Sequence, residues 1–174
     1  LALEPLERHD RTSVKYFPGA MVPGFVNTHC HLELSHLKAQ IPKQTGLIDF
    51  VWKIVTERHF EESDILSAIA KADQEMYENG IVAVGDICNN ALTVKQKKRS
   101  GLWYHNFIEV SGFPPAVAAI RYEKAKEILQ SFNEVTTANS IVPHAPYSVS
   151  PELFKLINDL PGNHLLSMHN QECA

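Results

Sequence analysis

Residues 21–31 read Met21-Val22-Pro23-Gly24-Phe25-Val26-Asn27-Thr28-His29-Cys30-His31. A short apolar run that follows Pro23-Gly24 and closes on two imidazoles has the pattern of a buried strand with chemistry at its end. Residues two apart in a strand face the same side, so His29 and His31 can converge on one ion. Neutral imidazole suits zinc, iron or nickel. The competing reading is a pair of hydrogen-bonded structural histidines.

Downstream of this strand, residues 32–47 hold Pro42 and Gly46 and no sustained period, which predicts a long loop. Leu47, Ile48, Val51, Ile54 and Val55 have helical spacing over residues 47–58. A second helix is expected over residues 63–79, with Ser63 as N-cap, a stripe of Ile65, Leu66, Ile69, Ala72 and Met76, and Asn79-Gly80 as its stop. Strands follow at residues 81–86, 102–110, 140–144 and 164–169, separated by helices over roughly 91–100, 115–132 and 151–160. Ser150-Pro151-Glu152 is an N-cap, a first-turn proline and a first-turn acid. Alternation of strand and helix implies an α/β fold with a parallel sheet and helical crossovers. About five units of a (β/α)8 TIM barrel are accounted for, whereas a whole barrel takes about 250 residues. The expectation is the first part of a longer protein: residues 1–20 an edge segment, residues 21–174 the opening of a catalytic barrel.

Each polar cluster falls at the C-terminal end of an expected strand, the face on which barrel enzymes build active sites. His29 and His31 end the first strand. Asp86, Cys88 and Asn89 follow the second, Glu109 the third, His144 the fourth, and His169 with Glu172 the fifth. His169 is the candidate third metal ligand. Glu172 is the candidate catalytic acid–base: a metal lowers the pKa of bound water to about 7, and a nearby carboxylate can take that proton and return it to a leaving group. His144 is expected to contact or polarise substrate, with Glu109, Cys88 and Asn89 as further substrate contacts. Asp86 either lines the pocket or makes a turn. Glu33 is expected to anchor the metal-site loop, Cys30 to face the core, and Trp52 and Trp103 to be packing residues. Lys95, Lys97, Lys98 and Arg99 read as a solvated helix end rather than a phosphate site.

The bulk properties narrow the partners. A net charge of −4, with 44% hydrophobic and 21% charged residues, fits a soluble globular chain and argues against nucleic acid or an acidic membrane. No stretch of 18 apolar residues is present, so no membrane span is expected. Three cysteines without CxxC spacing fit a reducing cytoplasm better than a disulfide framework.

The motif from Pro23 to Glu33 resembles the first-strand motif of the amidohydrolase superfamily. Pro143-His144-Ala145-Pro146-Tyr147-Ser148-Val149-Ser150 and His169-Asn170-Gln171-Glu172 are similar to its cytosine deaminase and chlorohydrolase branch, which includes adenosine-type and aminofutalosine deaminases. The resemblance implies a mononuclear zinc or iron site on His29, His31 and His169, Glu172 as proton shuttle, and His144 against the substrate. It implies hydrolysis of a non-peptide carbon–nitrogen bond, namely deamination of a small purine, pyrimidine or aminofutalosine-like heterocycle. Dechlorination or cyclic-amide hydrolysis by the same site is the alternative within enzymes, and a non-catalytic metal-binding fragment the alternative outside them. It implies further parts outside this sequence: a sixth-strand histidine, an eighth-strand aspartate, and most of a small β-sandwich of which residues 1–20 would be a remnant. The expected fourth strand carries no lysine to be carbamylated, in keeping with one metal rather than two. Residues 1–174 alone are expected to be inactive, and to form a homo-oligomer or associate with the remainder of the chain.

Overall fold

A computed structural model describes residues 4–42, 46–56, 60–136 and 138–171. Among them is one sheet of four parallel strands in the order β1-β2-β3-β4: β1 (Phe25–Cys30), β2 (Ile81–Cys88), β3 (Trp103–Val110) and β4 (Asn139–Pro143). The crossovers carry α1 (Leu47–Thr56), α2 (Glu62–Glu78), the short α3 (Val94–Lys97), α4 (Ala118–Asn133), and after β4 comes α5 (Pro151–Asn158). Parallel neighbours in sequence order, each reached through helix, form the opening arc of a (β/α)8 barrel.

Strand alternation separates two faces. Val84, Tyr104, Ile108, Val110 and Ile141 turn toward the helices and pack with Ile69, Ala125, Phe132, Leu153 and Ile157. Ile87, Phe107 and Val142 form a separate cluster on the opposite, inner face. A buried Leu or Ile side chain is worth roughly 1.5–3 kcal/mol, so the helix-side core is what holds the strand ends in place. Ser150 caps α5, its Oγ accepting the Leu153 N–H at 3.3 Å.

Several expectations need correction. Residues 32–37 are a 3-10 helix rather than loop: Leu32 and Leu37 are buried, and the Ser35 hydroxyl donates to Leu32 O. The N-cap of α2 is Glu61, without a side-chain cap, and Ser63 lies inside the helix. Trp52 and Trp103 are 69% and 56% exposed, so they are not packing residues here. Residues 164–169 form no strand. The Asn163 side chain occupies the edge of β4 instead, its Oδ1 accepting the Ile141 N–H and its Nδ2 donating to Ile141 O, both at 2.9 Å. Those are groups a fifth strand would use for pairing. The chain rejoins β4 only at its tip, where His169 N–H donates to His144 O at 2.8 Å. Lys97 is not part of a solvated helix end; it is 5% exposed, beneath the sheet.

Candidate metal centre

His29 and His31 flank the end of β1, where pairing with β2 is irregular: Asn27 pairs with Val84 and Cys30 with Asp86. Three residues of β1 thus span two of β2, and a bulge of this kind bends a strand and re-aims its side chains. Both rings converge, with His29 Nε2 3.2 Å from His31 Nε2. His169 completes the group, its Nε2 3.1 Å from His31 Nε2. All three ligand atoms lie within 4.8 Å of one another. Nitrogens held tetrahedrally at about 2.0–2.1 Å from one zinc stand roughly 3.3–3.4 Å apart, so this donor set fits one such ion with little movement.

Burial favours the neutral form of the His29 and His31 rings, as ligation requires. It pushes His31 down to about 4, with His29 and His169 adding to the effect. His29 is lowered by burial first and by His169 second. His31 Nδ1 is buried with no hydrogen-bond partner among the described residues.

A carboxylate stands behind His169. Glu109 Oε1 lies 3.1 Å from His169 Nδ1, and the Glu109 side chain is 7% exposed. Asn89 Nδ2 donates to the other oxygen of Glu109 at 3.2 Å. Glu33 accepts the N–H groups of Asn89 and Asn90 at 3.0 and 3.2 Å, tying the loop after β1 to the loop after β2. It is the anchor the sequence suggested, and burial raises its carboxyl to about 7 against the lowering effect of those two bonds.

His144 stands beside His169, ring centroids 5.0 Å apart. Its Nδ1 is 2.7 Å from Ser148 Oγ, and that hydroxyl donates to Ala145 O. The hydroxyl is therefore the acceptor for His144 Nδ1–H, which leaves Nε2 as an acceptor. One ligand atom each of Glu109, His144 and His169 also lie within 4.8 Å of one another; His169 Nδ1 there faces His144 O at 3.3 Å as well as Glu109 at 3.1 Å.

Among the expected site residues, His29, His31, His144, His169, Glu109 and Asn89 are brought together. Cys88 is not: it is fully buried on the helix side, its thiol donating to Asp86 O, and cannot touch a substrate on the inner face. Asp86 shares that side. Glu172 lies outside the described residues, as does Cys173. Sequence reasoning missed Ser148 as the partner of His144, the burial of Lys97, and the approach of Glu109 to the His169 ring.

A model of the amidohydrolase family matches residues 20–161. The chain is 31% identical over 174 residues to the aminodeoxyfutalosine deaminase of Nitratiruptor sp., covering 94% of this chain and 40% of that protein. It is 26% identical over 160 residues to the 5'-deoxyadenosine deaminase of Methanosphaera stadtmanae, covering 85% of this chain and 36% of that one. Among solved structures it is similar to Helicobacter pylori aminofutalosine deaminase in complex with methylthio-coformycin (TM-score 0.71, 24% identity, 86% of this chain and 37% of that one). It is also similar to a mutant atrazine chlorohydrolase of Arthrobacter aurescens complexed with zinc and atraton (TM-score 0.68, 17% identity, 84% and 40%). These structural likenesses support the partial-barrel fold. The chain spans well under half the length of the relatives it matches.

Proposed function

The chain belongs to the amidohydrolase family, and from that premise we propose that it is the ligand-bearing part of a metal-dependent deaminase acting on a small amino-substituted heterocycle of the adenosine or aminofutalosine type. The observation that carries this reading is the convergence of His29, His31 and His169, with Nε2 separations of 3.2 and 3.1 Å.

Zinc is the proposed ion, iron the alternative. A divalent cation on these three rings would supply Lewis acidity, bringing a water molecule toward ionisation near pH 7. The residues of the chain do the rest. Glu172 accepts the proton of that water and returns it to the leaving nitrogen. His144 hydrogen-bonds the heterocycle through Nε2, held in its tautomer by Ser148. Glu109 and Asn89 are proposed as further substrate contacts, Asn89 exposed with its Nδ2 on Glu109. In the net reaction a carbon–oxygen bond forms at the amino-bearing ring carbon and the carbon–nitrogen bond breaks. Ammonia leaves, and the ring becomes its oxo form.

No helix among the described residues is long and apolar enough to cross a membrane. Cys30 and Cys88 are free thiols, which supports a cytoplasmic setting. The catalytic unit is proposed to need the remainder of the barrel or a second copy, since residues such as Phe25, Val82 and Trp103 of the strands are more than half exposed.

The experiment is an ammonia-release assay of the full-length protein with adenosine, 5'-deoxyadenosine and aminodeoxyfutalosine, before and after chelation and zinc restoration. Metal-dependent ammonia release that is lost in His31→Ala supports the reading. Chloride release from a chlorotriazine without ammonia release from any purine would transfer the site to the chlorohydrolase alternative.

A further inference from the structure

Lys97 ends a helix of four residues and turns inward beneath the sheet. Its side chain is 1% exposed and that of Asp86 0%, and the two are in contact as an ion pair. The ammonium also donates to Asn106 Oδ1 at 2.7 Å and lies 3.4 Å from Cys88 Sγ. It sits over the rings of Tyr104 and Phe132, 4.9 and 4.8 Å from their centroids. Every donor direction is used, so Lys97 has no freedom to leave.

The partner carboxylate faces the other way. Asp86 Oδ2 takes the ammonium, and Oδ1 accepts the backbone N–H of Leu32 at 2.8 Å. Leu32 is the residue after His31, lies beyond the end of β1, and buries its side chain to 1% exposure. The β1–β2 ladder has already slipped at Asn27–Cys30, so regular strand pairing does not fix the backbone at His31. The Asp86–Leu32 bond does, from the side of the sheet opposite the imidazoles.

We propose that Lys97 and Asp86 are positioning residues for the metal centre: a buried ion pair whose free carboxylate oxygen latches the Leu32 amide and so sets the place of His31. This rests on the reading of His29, His31 and His169 as ligands. A buried charged pair is often replaceable by apolar groups without loss of stability, so stability alone does not account for a lysine here. Holding one amide behind a ligand does. Lys97 lies on the helix side, away from the histidines, and is not itself a ligand.

The test uses Co2+ in the full-length protein, read by its visible d–d bands and by competition with a chelator. Lys97→Met strands the Asp86 carboxylate and should weaken Co2+ binding by about 10–100-fold, the range for partners behind a ligand. Asp86→Asn/Lys97→Met removes both charges but keeps a carbonyl oxygen for Leu32; it should recover binding to within a few-fold and restore the parent spectrum. Asp86→Leu/Lys97→Met removes the acceptor as well and should stay weak, with altered bands, although its melting point matches that of the other double variant. Equal Co2+ affinities and spectra in the two double variants would overturn the latch. Should the leucine variant fail to fold, the comparison of Lys97→Met with Asp86→Asn/Lys97→Met decides, absence of rescue overturning it. A parent protein whose Co2+ bands survive His31→Ala would instead overturn the metal-site reading itself.

Discussion

Glu109 Oε1 lies 3.1 Å from His169 Nδ1, on the side of the ring away from the nitrogen that faces His31. The Nδ1 hydrogen bond runs to His144 O at 3.3 Å, which fixes the tautomer that leaves Nε2 free, and the carboxylate beside it makes that nitrogen a better donor to a cation. Glu109→Ala is therefore expected to weaken Co2+ binding about 10–100-fold, and Glu109→Gln by less. Chelator competition measures both. If Co2+ binding is unchanged and only KM rises, Glu109 serves the substrate and not the ring.

Gly85 of β2 lies close against the backbone of β1. A methyl group there would stand 2.7 Å from Thr28 O and 3.0 Å from a ring carbon of Phe107. The first of these is backbone and cannot swing aside. Gly85→Ala is expected to cost about 1–3 kcal/mol, as overpacking does. Thr28 adjoins His29, so the displaced strand should also carry a ligand with it. Urea unfolding in chelator measures the first effect, Co2+ titration the second. A variant that loses stability yet binds Co2+ like the parent would show that the bulge absorbs the push.

His105 supplies a pH dependence away from the metal centre. Burial lowers its pKa from 6.5, and its Nε2 is 2.8 Å from Ser140 Oγ on the inner face. The folded protein thus prefers the neutral ring, while the unfolded chain takes up a proton as pH falls through 6.5. Above that value both states are neutral and the ring adds no slope; below it the unfolded state gains. Stability should fall on acidification, and His105→Asn should flatten that fall. Melting temperatures of both proteins at pH 7.5 and 5.5, in chelator, make the comparison; parallel curves would remove His105 from the acid limb.

The alternation of apolar runs and amphipathic stripes is enough to read four strands and the longer helices between them, because these are long enough to show their period. The HxH pair was legible for the same reason, its spacing being a strand spacing. Lys97 was not, because a helix of four residues has too few turns to reveal which face is buried, and a run of four basic residues then looks solvated. The apolar run of β2 stops at Asp86, which places Cys88 on the site by sequence; the strand continues two residues and alternation turns both side chains to the helices. Leu165, Leu166 and Met168 mimic a strand, and nothing local reveals that Asn163 has taken the edge of β4. The contact of Glu109 with His169 joins residues sixty positions apart and has no sequence signal beyond each closing an expected strand.

Glu172 carries the chemical step in this reading, and its substitution separates catalysis from metal binding. His169 is placed by its bond to His144 O and by Glu109. Beyond Asn170, Gln171 takes a left-handed backbone, φ 55°, which turns the chain. Glu172→Gln is nearly isosteric and cannot shuttle a proton, so the full-length variant should bind Co2+ like the parent while ammonia release falls by about 10²–10⁴-fold, the usual cost of a positioned acid–base group. His144→Asn should behave differently: metal retained, KM raised and kcat lowered together, because the lost contact is to the substrate through Nε2. Single-turnover assays of the two variants, with metal content measured on the same samples, distinguish them. If Glu172→Gln turns over at the parent rate while His144→Asn alone stops ammonia release, the proton shuttle is His144, and the tautomer set by Ser148 becomes the catalytic one.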